Sequence, residues 1–318
     1  MSSIRHLSKQ VLEDLERLCP EMKKSPREKL SLLVGVAIES GSCNLAAWAG
    51  KLPLETTREA SRYTWIERFF RAETLDDQSV MRALAGQVLA AAAQKNQTIV
   101  LCMDQTSIGN THGILMVSCR VQNRGVPLFW TTVETAGNIG FAEQEVLLNA
   151  LDGVLPPRAN VLFLGDRFYG TAALVKACKH RGWGYRLRLK GNLTCQHQEG
   201  EITTGAIVHA SGYGIEKAEL YNTGVVTNIG VLHEKGHDEP WIIAMDALPS
   251  KTTVLDYGLR WGIESMFSDM KSRGFGLEDT HLLRSKRVTR LILVLAIAMH
   301  WAVIVGIPQQ HPLKKTAL

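Results

Sequence analysis

The hydrophobic pattern of this chain changes period once, at about residue 98, and that change bounds its architecture. Upstream, residues 1–95 read as helical throughout. Downstream, short apolar runs rich in β-branched residues alternate with helical segments. A chain of this pattern makes a helical N-terminal part followed by an α/β sheet domain.

Within the helical part, Ser25-Pro26-Arg27-Glu28 reads as a capping box that starts a helix ending at Ser40-Gly41. A short helix over 44–49 follows, stopped by Gly50 and Pro53. The next helix, 55–71, carries Arg58, Arg62, Arg68 and Arg71. A short helix, a turn and a basic helix fit a DNA-binding arrangement, and fit a solvated helical face nearly as well.

Past residue 98, a run over 98–103 is predicted as a strand ending in Asp104, and a run over 160–165 as a strand ending in Asp166. Between them, 113–121 and 126–133 flank Asn123-Arg124-Gly125 as a hairpin, and 141–151 is helical. A helix over 171–181 follows Asp166. Residues 183–248 lose helical periodicity and read as β-rich. In them Arg186, Arg188 and Lys190 alternate with leucines as one cationic strand face, and 221–232 and 241–245 are further strands.

Tyr257, Arg260, Glu264 and Lys271 then stand at spacings of three, four and seven, which put them on one stripe of a helix. Charged groups are rarely fully buried, so the stripe reads as a site rather than an ordinary core face. Asp104 and Asp166 at strand ends, with Glu264 from the helix, give three carboxylates. Each aspartate alone reads as a turn former. Together they are oxygen ligands suited to Mg²⁺ or Mn²⁺, and two such ions about 4 Å apart promote phosphodiester transfer.

Composition agrees with a protein that meets a polyanion. Net charge is +5 with a pI of about 8.9, and basic residues cluster at Lys179, Arg181, Arg186, Arg188 and Lys190 and again at Arg273, Arg284, Lys286, Arg287 and Arg290. The six cysteines form no C-x-x-C pair, which suits reduced thiols in the cytosol, and the first ten residues hold no apolar signal region. An apolar run over 291–307, broken by His300, reads as a buried packing helix, with a membrane span as the alternative.

Asp104-Gln105-Thr106, Asp166-Arg167 and the Y-R-E-K segment from Tyr257 to Lys271 resemble the bacterial DDE transposases of insertion sequences, in the Y-R-E-K group called insertion-sequence family four. The resemblance implies an RNase H-like catalytic core interrupted by a β-rich insertion. Residues 1–95 would be a helical DNA-binding domain, 96–182 and 249–318 the two parts of the core, and 183–248 the insertion. It implies a metal triad of Asp104, Asp166 and Glu264 holding Mg²⁺ or Mn²⁺, as two ions. Tyr257 and Arg260 would meet phosphates near the element end, and Lys271 a phosphate of the 5′ strand. Trp241, in the segment from Trp241 to Pro249, would stack on a flipped base, with a core tryptophan as the competing reading. Arg167 is ranked below these as a DNA contact.

The activity so implied is cut-and-paste transposition through a hairpin, by a cytoplasmic, nucleoid-associated homodimer acting on terminal inverted repeats and target DNA, with no membrane. Its alternatives are a transposase-derived DNA-binding protein without catalysis and a metal-dependent nuclease without strand transfer. The H-E-x-x-H pattern His233–His237 holds a glycine and precedes a proline, so it reads as a turn rather than a zinc helix. Only 54 residues follow Glu264 (318 − 264), which leaves no room for the long helical C-terminal region of larger members.

Overall fold

A computed structural model describes residues 3–306, apart from 57, 74, 199, 210, 211 and 234–237. The helical part comprises α1 (Ser3–Leu18), α2 (Lys24–Ser40), α3 (Leu45–Lys51), α4 (Glu59–Arg71) and α5 (Asp77–Ala92). Asn44 caps α3 through Ala46 and Ala47, and Asp76 caps α5 through Gln78 and Ser79, as side-chain oxygens of these residues do at helix starts. The predicted box at Ser25 is not used. Lys23 is the N-cap and makes no side-chain cap, so Ser25 lies inside the first turn while Glu28 faces Lys24 at 3.8 Å. The far end is as expected: α2 stops at Gly41 in the left-handed region (φ +55°), where a glycine pays no Cβ penalty. The basic helix α4 begins four residues later than the pattern predicts.

The sheet domain begins with β1 (Ile99–Ile108), β2 (His112–Val121) and β3 (Arg124–Val133), then α6 (Phe141–Asp152), β4 (Val161–Gly165), α7 (Ala172–His180) and β5 (Gly184–Arg188). β6 (Thr194–His197), β7 (Gly200–Thr203), β8 (Gly214–Leu220), β9 (Val225–Leu232) and β10 (Trp241–Met245) follow. Last come α8 (Lys251–Leu255), α9 (Trp261–Met270) and α10 (Ser285–Gly306). The ten strands of the described residues form one mixed sheet in the order β3-β2-β1-β4-β5-β10-β9-β8-β6-β7. β1, β4 and β5 run parallel and the remaining neighbours antiparallel. The architecture is therefore mixed α/β, and the strands after α7 extend the same sheet. The hairpin between β2 and β3 turns at Gln122-Asn123, one residue earlier than expected, with Gln122 at φ +55°.

Strand β1 corrects the placement of Asp104. The strand runs four residues past it, because antiparallel pairing with β2 continues through Asp104↔Met116 to Ile108↔His112. Only the parallel pairing with β4 stops there, its last pair being Met103↔Gly165. Asp104 and Asp166 are each the next residue after that pair, so the two lie at the same level where two parallel strands part.

Helix α10 is apolar all round because it is surrounded. It packs on β3, α2, α4 and α5, and its residues from Leu291 to Ala298 are at most 2% exposed. No single described helix is long and apolar enough to cross a membrane. Arg290 at its start is also buried: its guanidinium donates to Asp77 and to the backbone carbonyls of Phe69, Ala72 and Leu75. One hydrophobic core runs from the N-terminal helices through the sheet to α10.

Candidate active site

The register described above sets two carboxylates beside each other at the rim of the sheet. A cavity of about 370 Å³ opens over Asp104 and Asp166, with Gln105, Asn138, Phe168 and Tyr169 in its walls. Gln105 ties the wall together: its amide nitrogen donates to the Gly137 carbonyl at 2.9 Å, and its oxygen accepts from the Ile139 N–H at 2.9 Å. Asp166 is also the turn former that its position suggested, accepting the Phe168 N–H at 2.8 Å. Burial, and then the charge of Asp166, push the Asp104 carboxyl up from 3.8 to about 6, against the pull of Arg260.

Glu264 arrives from the other side on the segment that follows α8. The predicted single helical stripe is in two pieces. Tyr257 and Arg260 lie on a 3₁₀ turn, Asp256–Arg260, and Glu264 on α9. Residues three apart align on a 3₁₀ turn and residues four apart on an α-helix, so the change of pitch falls where the spacing changes from three to four. Lys271 lies beyond the end of α9 and pairs with Glu278 at 2.8 Å. The stripe is also less exposed than its charge suggested: Tyr257 is 2% and Arg260 8% exposed.

Arg260 tolerates that burial because it is paired twice. Its guanidinium donates to the Asp104 carboxylate at 3.1 Å and to the Glu264 carboxylate, and stands 5.5 Å from the Tyr257 ring centre. Burial alone would weaken its hold on the proton. The Glu264 and Asp104 carboxylates, with the Tyr257 ring beside the guanidinium, more than offset this and keep its pKa above the ordinary value. The Tyr257 hydroxyl and the Arg260 Nε are buried without a hydrogen-bond partner among the described residues. Burial raises the Tyr257 pKa, so the phenol stays protonated. Among the described residues, no three acidic, histidine or cysteine groups already stand close enough to hold one metal ion.

The segment is held from both flanks. Arg120 on β2 donates to the Leu259 carbonyl at 2.9 Å, and Arg124 on β3 pairs with Asp269 of α9 at 2.6 Å. Gly125 lets α9 come close: a Cβ there would stand 2.9 Å from the Gly262 carbonyl oxygen. Arg186, from β5, bonds Asp256 at 2.9 Å and Asp246 at 2.7 Å. The basic clusters are corrected by these contacts. Arg186 and Arg290 are buried ties, and Arg181 pairs with Asp152 at 2.8 Å, so none of the three is a solvent-facing cation.

Trp241 is a core residue, the competing reading of its sequence position. It is 6% exposed and meets Tyr257 edge-on at 5.2 Å. The exposed aromatic here is Trp261, 49% exposed and 6.1 Å from Trp241. Arg167 points away from the two aspartates' cavity into a neighbouring one, where it meets Glu239 at 3.0 Å. The H-E-x-x-H pattern lies, after His233, outside the described residues. All six cysteines are buried and unpaired by disulfides.

A family model, the transposase DDE domain, matches residues 129–301, more than half of the chain. The chain belongs to the DDE transposase family. The matched span of this DDE transposase includes Asp166, the 3₁₀ turn and Glu264, and begins downstream of Asp104. No curated protein matches the chain. Membership makes DNA the partner class and polynucleotidyl transfer or endonucleolytic cleavage the general chemistry of this transposase.

Sequence reasoning quoted Gln105 within the Asp104 motif without giving it a role, and did not single out Phe168 in the cavity wall or the exposed Trp261. Each neighbours a residue it did find, namely Asp104, Arg167 and Arg260. An aromatic beside a charged motif on a predicted surface was the available signal for Phe168 and Trp261.

Proposed function

We propose that this DDE transposase performs metal-dependent cut-and-paste excision and strand transfer of an insertion sequence, as a member of the Y-R-E-K group with an RNase H-like core and a β-rich insertion. The observation that supports the reading is that Asp104 shares a cavity with Asp166 and shares the Arg260 guanidinium with Glu264, which links acids from β1, the end of β4 and α9. The order β3-β2-β1-β4-β5, antiparallel then parallel, supports the RNase H-like reading.

The donor set fits a hard divalent cation. It is all oxygen, and two of its carboxylates share one cavity, where the charge of Asp166 disfavours ionisation of Asp104. Asp104 and Asp166 would hold Mg²⁺ or Mn²⁺ with Glu264 as the third carboxylate, and the bound ions would supply a lowered pKa for water and charge neutralisation at phosphate. The chain's own residues do the positioning. Arg260 keeps two acids in place until DNA binds and offers positive charge to a phosphate thereafter. The Tyr257 hydroxyl and Arg260 Nε, both without partners, suit the oxygens of that phosphate.

Cleavage breaks the bond between phosphorus and the 3′-oxygen at the element end as water's oxygen bonds to phosphorus. The freed 3′-hydroxyl would then attack a phosphorus of the opposite strand, forming a hairpin as the flanking DNA leaves on its own 3′-oxygen. Water would reopen the hairpin at that phosphorus and release the 3′-hydroxyl, which would join target DNA by displacing a 3′-oxygen of the target strand. Trp261, exposed and beside the buried Trp241, would be the ring that stacks on an unpaired base in place of Trp241.

The test is cleavage of duplex DNA carrying the element's terminal repeats with Mg²⁺ or Mn²⁺. Asp104→Ala should reduce cutting at least about 1,000-fold while leaving DNA binding intact. Cutting that survives the substitution removes Asp104 from the site. Nicked products without hairpins or joined strands leave a nuclease instead.

A further inference from the structure

A second cavity lies beside the two aspartates, not over them. It measures about 620 Å³, within the range of sites that bind ligands of nucleotide size. Arg167, Arg188, Lys190 and Glu239 contribute to its walls. The segment Asp166-Arg167-Phe168 divides it from the first cavity: Asp166 and Phe168 line one, and Arg167 lines the other. The Lys190 ammonium lies 5.5 Å from the centre of the half-exposed Phe168 ring, at the crest between them.

Among the described residues three cations converge there against one acid. Glu239 accepts from Arg167 at 3.0 Å and from Arg188 at 3.4 Å, and Lys190 has no ion pair among the described residues. The carboxylate thus sits between two guanidinium forks, as a phosphate oxygen sits in an arginine clamp. Its side chain is 62% exposed, and surface ion pairs of this kind contribute little, so an incoming anion displaces it readily. Arg188 is less exposed, at 19%, and its stem is fixed on β5, so the site stays formed when Glu239 leaves.

We infer that this cavity is a nucleotide subsite for the DNA strand as it passes from the reacting phosphate over Phe168. Arg167, Arg188 and Lys190 take a backbone phosphate, and Glu239 occupies that phosphate's place until DNA arrives. The inference rests on the transposase reading and adds to it a second binding position and an internal competitor for it. Glu239 then weakens DNA binding in general, and the cations add salt-sensitive affinity that carries no sequence preference.

The experiment is fluorescence anisotropy of the full chain with a short labelled duplex and a short labelled single strand, each of arbitrary sequence, across a salt series. Glu239→Gln should bind about fivefold tighter. Lys190→Gln, at an exposed position that folding does not need, should bind more weakly and lower the slope of log affinity against log salt by about 1. The inference is overturned if Glu239→Gln binds no tighter, or if Lys190→Gln keeps the wild-type slope. In either case wild-type binding and cleavage leave the transposase reading standing. If the wild-type chain shows no salt-dependent DNA binding, both fall together.

Discussion

At the scale of single residues the site is an arrangement of compensated charges. Asp104 is held near a pKa of about 6 because it is buried and faces Asp166. For a carboxyl, a folded pKa above the unfolded value of 3.8 means that the folded chain keeps a proton which the unfolded chain has lost. The cost of ionising Asp104 is therefore absent below pH 3.8 and fully present above about 6. A divalent cation held by Asp104, as proposed above, would relieve that cost only where Asp104 is ionised. Mn²⁺ should raise the melting temperature at neutral pH, and the rise should fade as pH falls through about 6. In Asp104→Asn the rise should be smaller and lose this pH dependence. Thermal melts with and without Mn²⁺ at several pH values check this; a wild-type rise that ignores pH counts against Asp104 as a ligand.

At the scale of elements, the hairpin of β2 and β3 is the support on which the signature segment rests. Arg120, Arg124 and Gly125 fix the 3₁₀ turn and α9 from one side, and Arg186 fixes the turn from the other. Gly125→Val forces α9 away from the sheet, because even a Cβ there meets the Gly262 carbonyl. A shift of about 1 Å at a catalytic group costs on the order of 100-fold in rate. The variant should bind DNA with near wild-type affinity and cleave it roughly 100-fold more slowly. A cleavage rate equal to wild type shows that α9 adjusts without moving Glu264. The positions of Tyr257, Arg260 and Glu264 were legible in their spacing, since that spacing is a property of the backbone. Their attachment was not, because Arg120 and Arg124 lie more than a hundred residues upstream of what they hold.

At the scale of the whole molecule, the N-terminal helices and the sheet share one core, and α10 is the member common to both. Arg290 is the polar tie across that junction. Removing it leaves Asp77 buried without its partner and three backbone carbonyls without their donor. Breaking a buried pair of this kind costs about 3–5 kcal/mol. Arg290→Met should lower the melting temperature by several degrees and keep a single transition, measured by calorimetry. Two separate transitions in the wild-type chain would show that the helical part and the sheet unfold independently.

The sequence by itself determined the helical and β-rich stretches, the two aspartates, the Y-R-E-K spacing and the family resemblance, because these depend on periodicity and on separations along the chain. Only the tertiary structure decided that Asp104 lies mid-strand, since β2 continues the pairing that β4 abandons. It also decided that Trp241 is buried while Trp261 is exposed, and that Arg186 and Arg290 are internal ties rather than DNA-facing cations. Burial and pairing are set by groups distant in sequence, and a charge shows its role only when the acid beside it is known.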